Sequence, residues 1–70
     1  MVVSVKLIVD KALEKRGISR YELAKRTGIQ YQIIDNYYKN KVVRYDSYIL
    51  ARICEALGCD VTELIETTNE

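Results

Sequence analysis

The sequence contains no proline, no histidine and only three glycines. The scarcity of proline and glycine argues against a loop-rich fold and against a β-rich one with many turns. Without histidine the chain lacks the commonest general base and metal ligand. Two cysteines, Cys54 and Cys59, are too few for a disulfide framework, and their spacing is not C-x-x-C. They cannot complete a zinc site and read as small buried apolar residues. No apolar run approaches the ~18 residues of a membrane span. The opening MVVSVKLIVDKALEK has no basic region ahead of its apolar stretch, unlike a signal peptide. A reduced, cytoplasmic protein is expected. Seventy residues make one domain, 1–70, and rarely enclose a substrate cavity of ~300–1,000 Å3. Neither enzymatic activity nor a cofactor or metal is expected.

Hydrophobic residues make up 49% of the chain, and Leu, Ile and Val alone number 21, too many for a disordered segment. The net charge of +1 hides an uneven distribution. Residues 1–58 carry all eleven bases and a net +5, whereas residues 59–70 carry four acids and no base. Within residues 15–44, eight bases face only Glu22 and Asp35. Such asymmetry points to a middle section that meets a polyanion.

The apolar periodicity is helical throughout. Val5, Ile8, Val9, Ala12 and Leu13 fall on one face of a first helix, with Ser4 to cap it and Gly17 to end it. Val2, Val3 and Val5 could instead open a short strand. Ser19-Arg20-Tyr21-Glu22 fits a capping box for a second helix that Gly28 stops. A third helix spans about Gln30 to Lys39, followed by Asn40, a residue that tolerates the left-handed conformation. Asp46 caps a fourth helix, stapled by Tyr45 and Leu50 and ended by Gly58. Its buried stripe is Ile49, Leu50, Ile53, Cys54 and Leu57. Asp60, with Glu63 three residues on, opens a short fifth helix whose apolar side is Val61, Leu64 and Ile65. Thr67 to Glu70 reads as a frayed tail. The fold class is therefore an all-α domain of five helices with its core between residues 5 and 66.

The stretch from Ser19 to Tyr38, SRYELAKRTGIQYQIIDNYY, reads helix, glycine turn, helix. Ala24 is small where the next helix crosses, Gly28 supplies φ > 0 in the turn, and Leu23, Ile29, Ile34 and Tyr37 pin the pair into one core. This is a helix-turn-helix pattern over residues 19–39. At about 100° per residue, with Tyr31 at zero, Gln32, Asp35, Asn36 and Lys39 fall at about 100°, 40°, 140° and 80°. Ile33, Ile34 and Tyr37 fall at about 200°, 300° and 240°. One half of this helix must be buried; the other presents Tyr31, Gln32, Asp35 and Asn36. Gln and Asn pair bidentately with adenine in the major groove, which makes this outward face a candidate for base reading. Asp35 is the awkward member, because it repels phosphate unless it accepts from a cytosine amino group or orients a neighbour.

On these residues the chain resembles the phage-repressor, or Cro-like, helix-turn-helix family, especially its small stand-alone bacterial members. The likeness runs through KALEKRGISRYELAKRTGI and SYILARICEALGCDVTELI, over roughly residues 5–66. It implies a five-helix fold that binds operator DNA, mostly as a homodimer, with the third helix as the recognition helix. Tyr31, Gln32 and Asn36 match the family's base-reading positions. Arg20 stands where the family usually has a phosphate-touching Gln and keeps that contact possible with a full charge. Gln30 replaces the usual Ser or Thr cap, and Asn40 the usual closing Gly.

The expected partner is thus a double-stranded DNA operator, with the chain acting as a small transcriptional regulator, a repressor by family. Arg20, Lys25, Arg26, Gln30, Lys39, Lys41 and Arg44 are the candidate phosphate contacts. Val61 and Leu64, on the base-free C-terminal segment near the Val42–Tyr45 loop, are the candidate dimer surface. The rival is a protein-interaction module, an antitoxin or adaptor that offers Tyr21, Tyr38, Tyr45, Tyr48 and the acidic tail to a protein partner. RNA binding by base stacking is disfavoured, since no strand carries an aromatic platform.

Overall fold

The computed structural model describes residues 3–69. A strand β1 (Val3–Leu7) leads into four helices, α1 (Val9–Arg16), α2 (Arg20–Thr27), α3 (Tyr31–Tyr38) and α4 (Ser47–Leu57). A single 3-10 turn (Val61–Glu63) then delivers the chain into a second strand, β2 (Ile65–Asn69). The strands pair antiparallel, from Val3 opposite Asn69 to Leu7 opposite Ile65.

Several expectations are corrected here. The fold is mostly helical rather than all-α, with four α-helices and a two-stranded sheet in place of five helices. Val3, Ser4, Val5 and Lys6 alternate apolar and polar with β-branched residues, and that period of two prevails over the helical spacing of Val5 with Val9. Ser4 therefore lies in β1 and caps nothing. Helix α1 begins at Val9, with Ile8 at its N-cap and no side-chain cap. The segment expected as a frayed tail is β2 as far as Asn69, and Glu70 lies outside the described residues. Asp60 makes no side-chain cap, and the expected fifth helix tightens to one 3-10 turn because Glu63 is drawn elsewhere.

Arg16 draws it there. Its guanidinium donates from Nη2 to both Glu63 carboxylate oxygens at 3.3 Å, from Nε to the Leu57 carbonyl and from Nη1 to the Ala12 carbonyl. One side chain thus ties together α1, the end of α4 and the 3-10 turn. Across the ribbon, Lys6 and Glu66 are opposite in register and form an ion pair at 3.4 Å. The outer edge of β1 is covered as well: the Leu7 N–H donates to Asn40 Oδ1 at 2.9 Å, and the Tyr45 hydroxyl approaches the Val5 carbonyl at 3.5 Å. Covering an edge in this way removes a template for unwanted pairing.

The core is built from Leu7, Val9, Ala12, Leu13, Leu23, Ile34, Tyr37, Leu50, Ile53 and Leu64, one or more from nearly every element. Tyr37 is buried as expected, and its hydroxyl accepts the Asp46 N–H at 2.9 Å at the start of α4. Asp46 in turn caps α4 through the Tyr48 N–H. Cys54 and Cys59 are free and half-buried against this core; burial pushes the Cys54 thiol up, which leaves it a poor nucleophile. Among the described residues no helix is long and apolar enough to cross a membrane.

Candidate nucleic-acid interface

The helix-turn-helix pair is fixed from both sides of its turn. Ser19 Oγ accepts the Glu22 N–H at 3.0 Å, which is half of the expected capping box. The other half is absent, because the Glu22 carboxylate accepts from Arg26 Nε at 3.1 Å. At the far end of α2, Gly28 is left-handed with φ of 72°, and its N–H returns to the Ala24 carbonyl. The buried Thr27 hydroxyl donates to the Leu23 carbonyl and accepts the Ile29 N–H, so the turn into α3 is held by its own side chain. Arg52 of α4 reaches the Thr27 carbonyl at 2.7 Å from Nη2. Sequence reasoning missed Arg52 in this role; a lone Arg on an amphipathic helix gives no sign of where its head will go.

Helix α3 buries Ile34 and Tyr37 and half-buries Ile33, as its wheel predicts. On the other side Tyr31 and Gln32 are exposed and Asn36 is half-buried. Gln32 Nε2 donates to Asn36 Oδ1 at 3.3 Å, one turn along. The Tyr31 ring meets Tyr21 of α2 edge to face, with centroids 6.3 Å apart. Gln30, also exposed, occupies the N-cap of α3 and makes no side-chain cap there.

Asp35 departs from the expected outward face. It is 8% exposed, so the side chain is not free to reach a base edge. The physical reason lies in its partners. Arg20 Nη1 donates to Asp35 Oδ1 at 2.5 Å, and Lys39 Nζ lies 3.0 Å from Oδ2. Lys39 first, and Arg20 after it, hold the Asp35 carboxyl below the usual carboxylate range against the opposing effect of burial. The Arg20 guanidinium also lies over the Tyr38 ring, 4.5 Å from its centroid. The structure thus gathers Arg20, Asp35, Tyr38 and Lys39 into one cluster that joins the start of α2 to the end of α3.

The other candidate cations behave differently. Arg26 is exposed and paired with Glu22, whereas Lys25, Lys41 and Arg44 are exposed and form no ion pair among the described residues. Of the two candidate dimer residues, Val61 is 40% exposed but Leu64 is fully buried. Leu64 is withdrawn from the surface because the 3-10 turn points it inward, and its carbonyl accepts the Ile8 N–H at 2.7 Å. In the neighbouring loop Val43 is 95% exposed, while Val42 and Tyr45 pack on the core.

Comparison with known proteins agrees with this geometry. The family model for the Cro/C1-type HTH DNA-binding domain matches residues 9–70. A crystal structure described as a putative DNA-binding protein from Bacteroides fragilis superposes with a TM-score of 0.78 at 21% identity, covering 90% of this chain and 100% of its own. The transcriptional regulator VanUg superposes with a TM-score of 0.75 at 27% identity, covering 100% of this chain and 92% of its own. No curated protein sequence matches the chain. With a match across most of its length and the helix-turn-helix in place at α2 and α3, the chain belongs to the Cro/C1-type helix-turn-helix DNA-binding family.

Proposed function

We propose that residues 1–70 act as one sequence-specific, duplex-DNA-binding domain that regulates transcription as a small repressor. Helix α3 would enter the major groove with Tyr31, Gln32 and Asn36 toward base edges. Lys25, Arg26, Lys41 and Arg44 would grip phosphates on either side, with Arg20 and Lys39 at the two ends of the helix pair and Gln30 at the turn between them. The observation that carries the reading is the face of α3 opposite Ile34 and Tyr37, where Tyr31 and Gln32 are exposed and Asn36 half-buried, in a chain whose Lys25, Lys41 and Arg44 are exposed and form no ion pair among the described residues. The likeness to VanUg, a transcriptional regulator, supports the regulatory part.

One such domain reads only a few base pairs, too few for a genome, so two copies would bind a two-fold operator with half-sites about one helical turn, ~34 Å, apart. Exposed Val61 and the exposed Val3 and Val5 of the ribbon are the surface proposed for that pairing, and buried Leu64 is not part of it. The test is selection of duplexes from a random pool by the purified protein, followed by titration of the enriched sequence against an unrelated one. Enrichment of an inverted repeat bound more tightly than random DNA is the expected result; no enrichment would overturn the reading.

A second reading rests on the exposed Tyr21, Tyr48 and Val43, which are 67%, 64% and 95% exposed. A protein partner of the antitoxin or adaptor kind would use such residues. Duplex binding that does not change with salt, or none at all, would favour it.

A further inference from the structure

The cluster around Asp35 has more structure than a phosphate contact needs. Asp35 is the one acid buried in the helix-turn-helix pair. A buried carboxylate is costly unless it is paired, and here each oxygen has its own cation: Arg20 on Oδ1 and Lys39 on Oδ2. The two cations come from opposite ends of the pair, Arg20 from the first residue of α2 and Lys39 from the residue after α3. Neither is consumed by the contact. The Arg20 and Lys39 side chains remain 34% and 46% exposed, and an Arg has five N–H donors and a Lys three. Arg20 is further restrained by the Tyr38 ring under its guanidinium plane.

We propose that Asp35 is a positioning residue of the DNA-binding surface, holding Arg20 and Lys39 as a preformed two-cation clamp for backbone phosphate, with Tyr38 fixing the plane of the Arg20 guanidinium. The proposal rests on the DNA-binding reading above. Free Arg and Lys side chains lose much rotamer freedom when a phosphate orders them. A clamp already ordered by the protein loses less. The acid therefore strengthens binding to a polyanion although its own charge is repelled by it.

That statement has the opposite sign to plain electrostatics, which makes it testable. Asp35→Asn removes a negative charge beside the DNA at almost constant shape. If only net charge mattered, the variant would bind every duplex more tightly and with a steeper salt dependence. If Asp35 positions the clamp, the variant binds more weakly, by roughly threefold to tenfold, and its slope of log affinity against log salt flattens by about 0.9 for the lost phosphate.

The experiment is fluorescence-anisotropy titration of a labelled duplex across salt concentrations. It uses wild type, Asp35→Asn, Arg20→Ala and the double variant, with thermal melts to give the folded fraction. Weaker, flatter binding by Asp35→Asn, and a double variant no weaker than Arg20→Ala and Asp35→Asn combined as a single loss, are expected. A merely structural role for Asp35 would lower the melting temperature and leave the slope of the folded protein unchanged, which would overturn the proposal; tighter binding would overturn it too. Should Asp35→Asn not fold, Arg20→Lys keeps the charge and loses the planar contact with Tyr38. Its slope should flatten in the same way, and an unchanged slope overturns the clamp. Wild type that binds no duplex at about 50 mM salt would instead overturn the DNA-binding reading itself.

Discussion

The Leu7 amide, at the end of the first strand, donates to the side chain of Asn40, the second residue after helix α3. Asn40 does this from a left-handed backbone with φ of 57°, the only non-glycine positive φ among the described residues. One residue thus ends the α3 region and covers the edge of the ribbon. Asn40→Gly keeps the backbone conformation and loses the acceptor, leaving the Leu7 N–H without its partner; it should cost about 1–3 kcal/mol in urea unfolding. Asn40→Ala loses both and should cost about 1–2 kcal/mol more. Equal stability of Asn40→Gly and wild type would show that the hydrogen bond contributes nothing.

The two faces of α3 should separate cleanly. Ile34 has no exposed surface, and Ile34→Ala should destabilise by about 2–5 kcal/mol in the same assay. Gln32→Ala should leave the melting temperature nearly unchanged and weaken binding to a selected operator by about 1–3 kcal/mol, with little effect on random DNA.

Charges without an intramolecular partner should contribute differently from those with one. Lys41→Ala should weaken binding to all duplexes alike and flatten the salt slope by about 0.9. Parallel titrations of an enriched and an unrelated duplex would check this; a loss confined to the enriched duplex would place Lys41 at a base.

Acid should loosen the fold from two places. Arg16 first, and Lys15 with it, hold the Glu63 carboxyl below its ordinary range, and Lys39 and Arg20 do the same for Asp35. Both pKa values are lower folded than unfolded, so the stability they bring is complete above the ordinary carboxylate values of about 4. It declines as pH falls through that value toward the lowered one. Melts between pH 7 and pH 3 should be flat at first and then fall. Glu63→Gln should be less stable than wild type at neutral pH and show a shallower acid decline; an unchanged decline would remove Glu63 from the account.

The helix-turn-helix was legible because its signals are local. The Ser19 cap, the left-handed Gly28 and the spacing of Leu23, Ile34 and Tyr37 each act within a few residues, and all appear in the structure as read. The ribbon was not legible from either strand alone. Val3 and Val5 are ambiguous between periods, and Thr67 and Thr68 become strand only because Val5 and Ser4 lie opposite. Asp35 failed for a related reason. A helical wheel gives an angle of about 40° from Tyr31 but cannot say that α2 delivers Arg20 there, 15 residues earlier in sequence. Leu64 failed because the turn before β2 is tighter than a helix, which rotates its side chain into the core.

The ribbon also sets an order of events during synthesis. Residues 3–7 leave the ribosome well before residues 65–69, with which they pair. Helices α2 and α3, which meet across one short turn, can form their hairpin long before that, since local contacts close quickly. The Val3–Leu7 segment must wait unpaired while the residues between the two strands are made, with Val3 and Val5 open to other nascent chains. Stalling that releases the chain short of residue 65 would therefore yield a product whose helix-turn-helix hairpin is present but whose first strand is a sticky end.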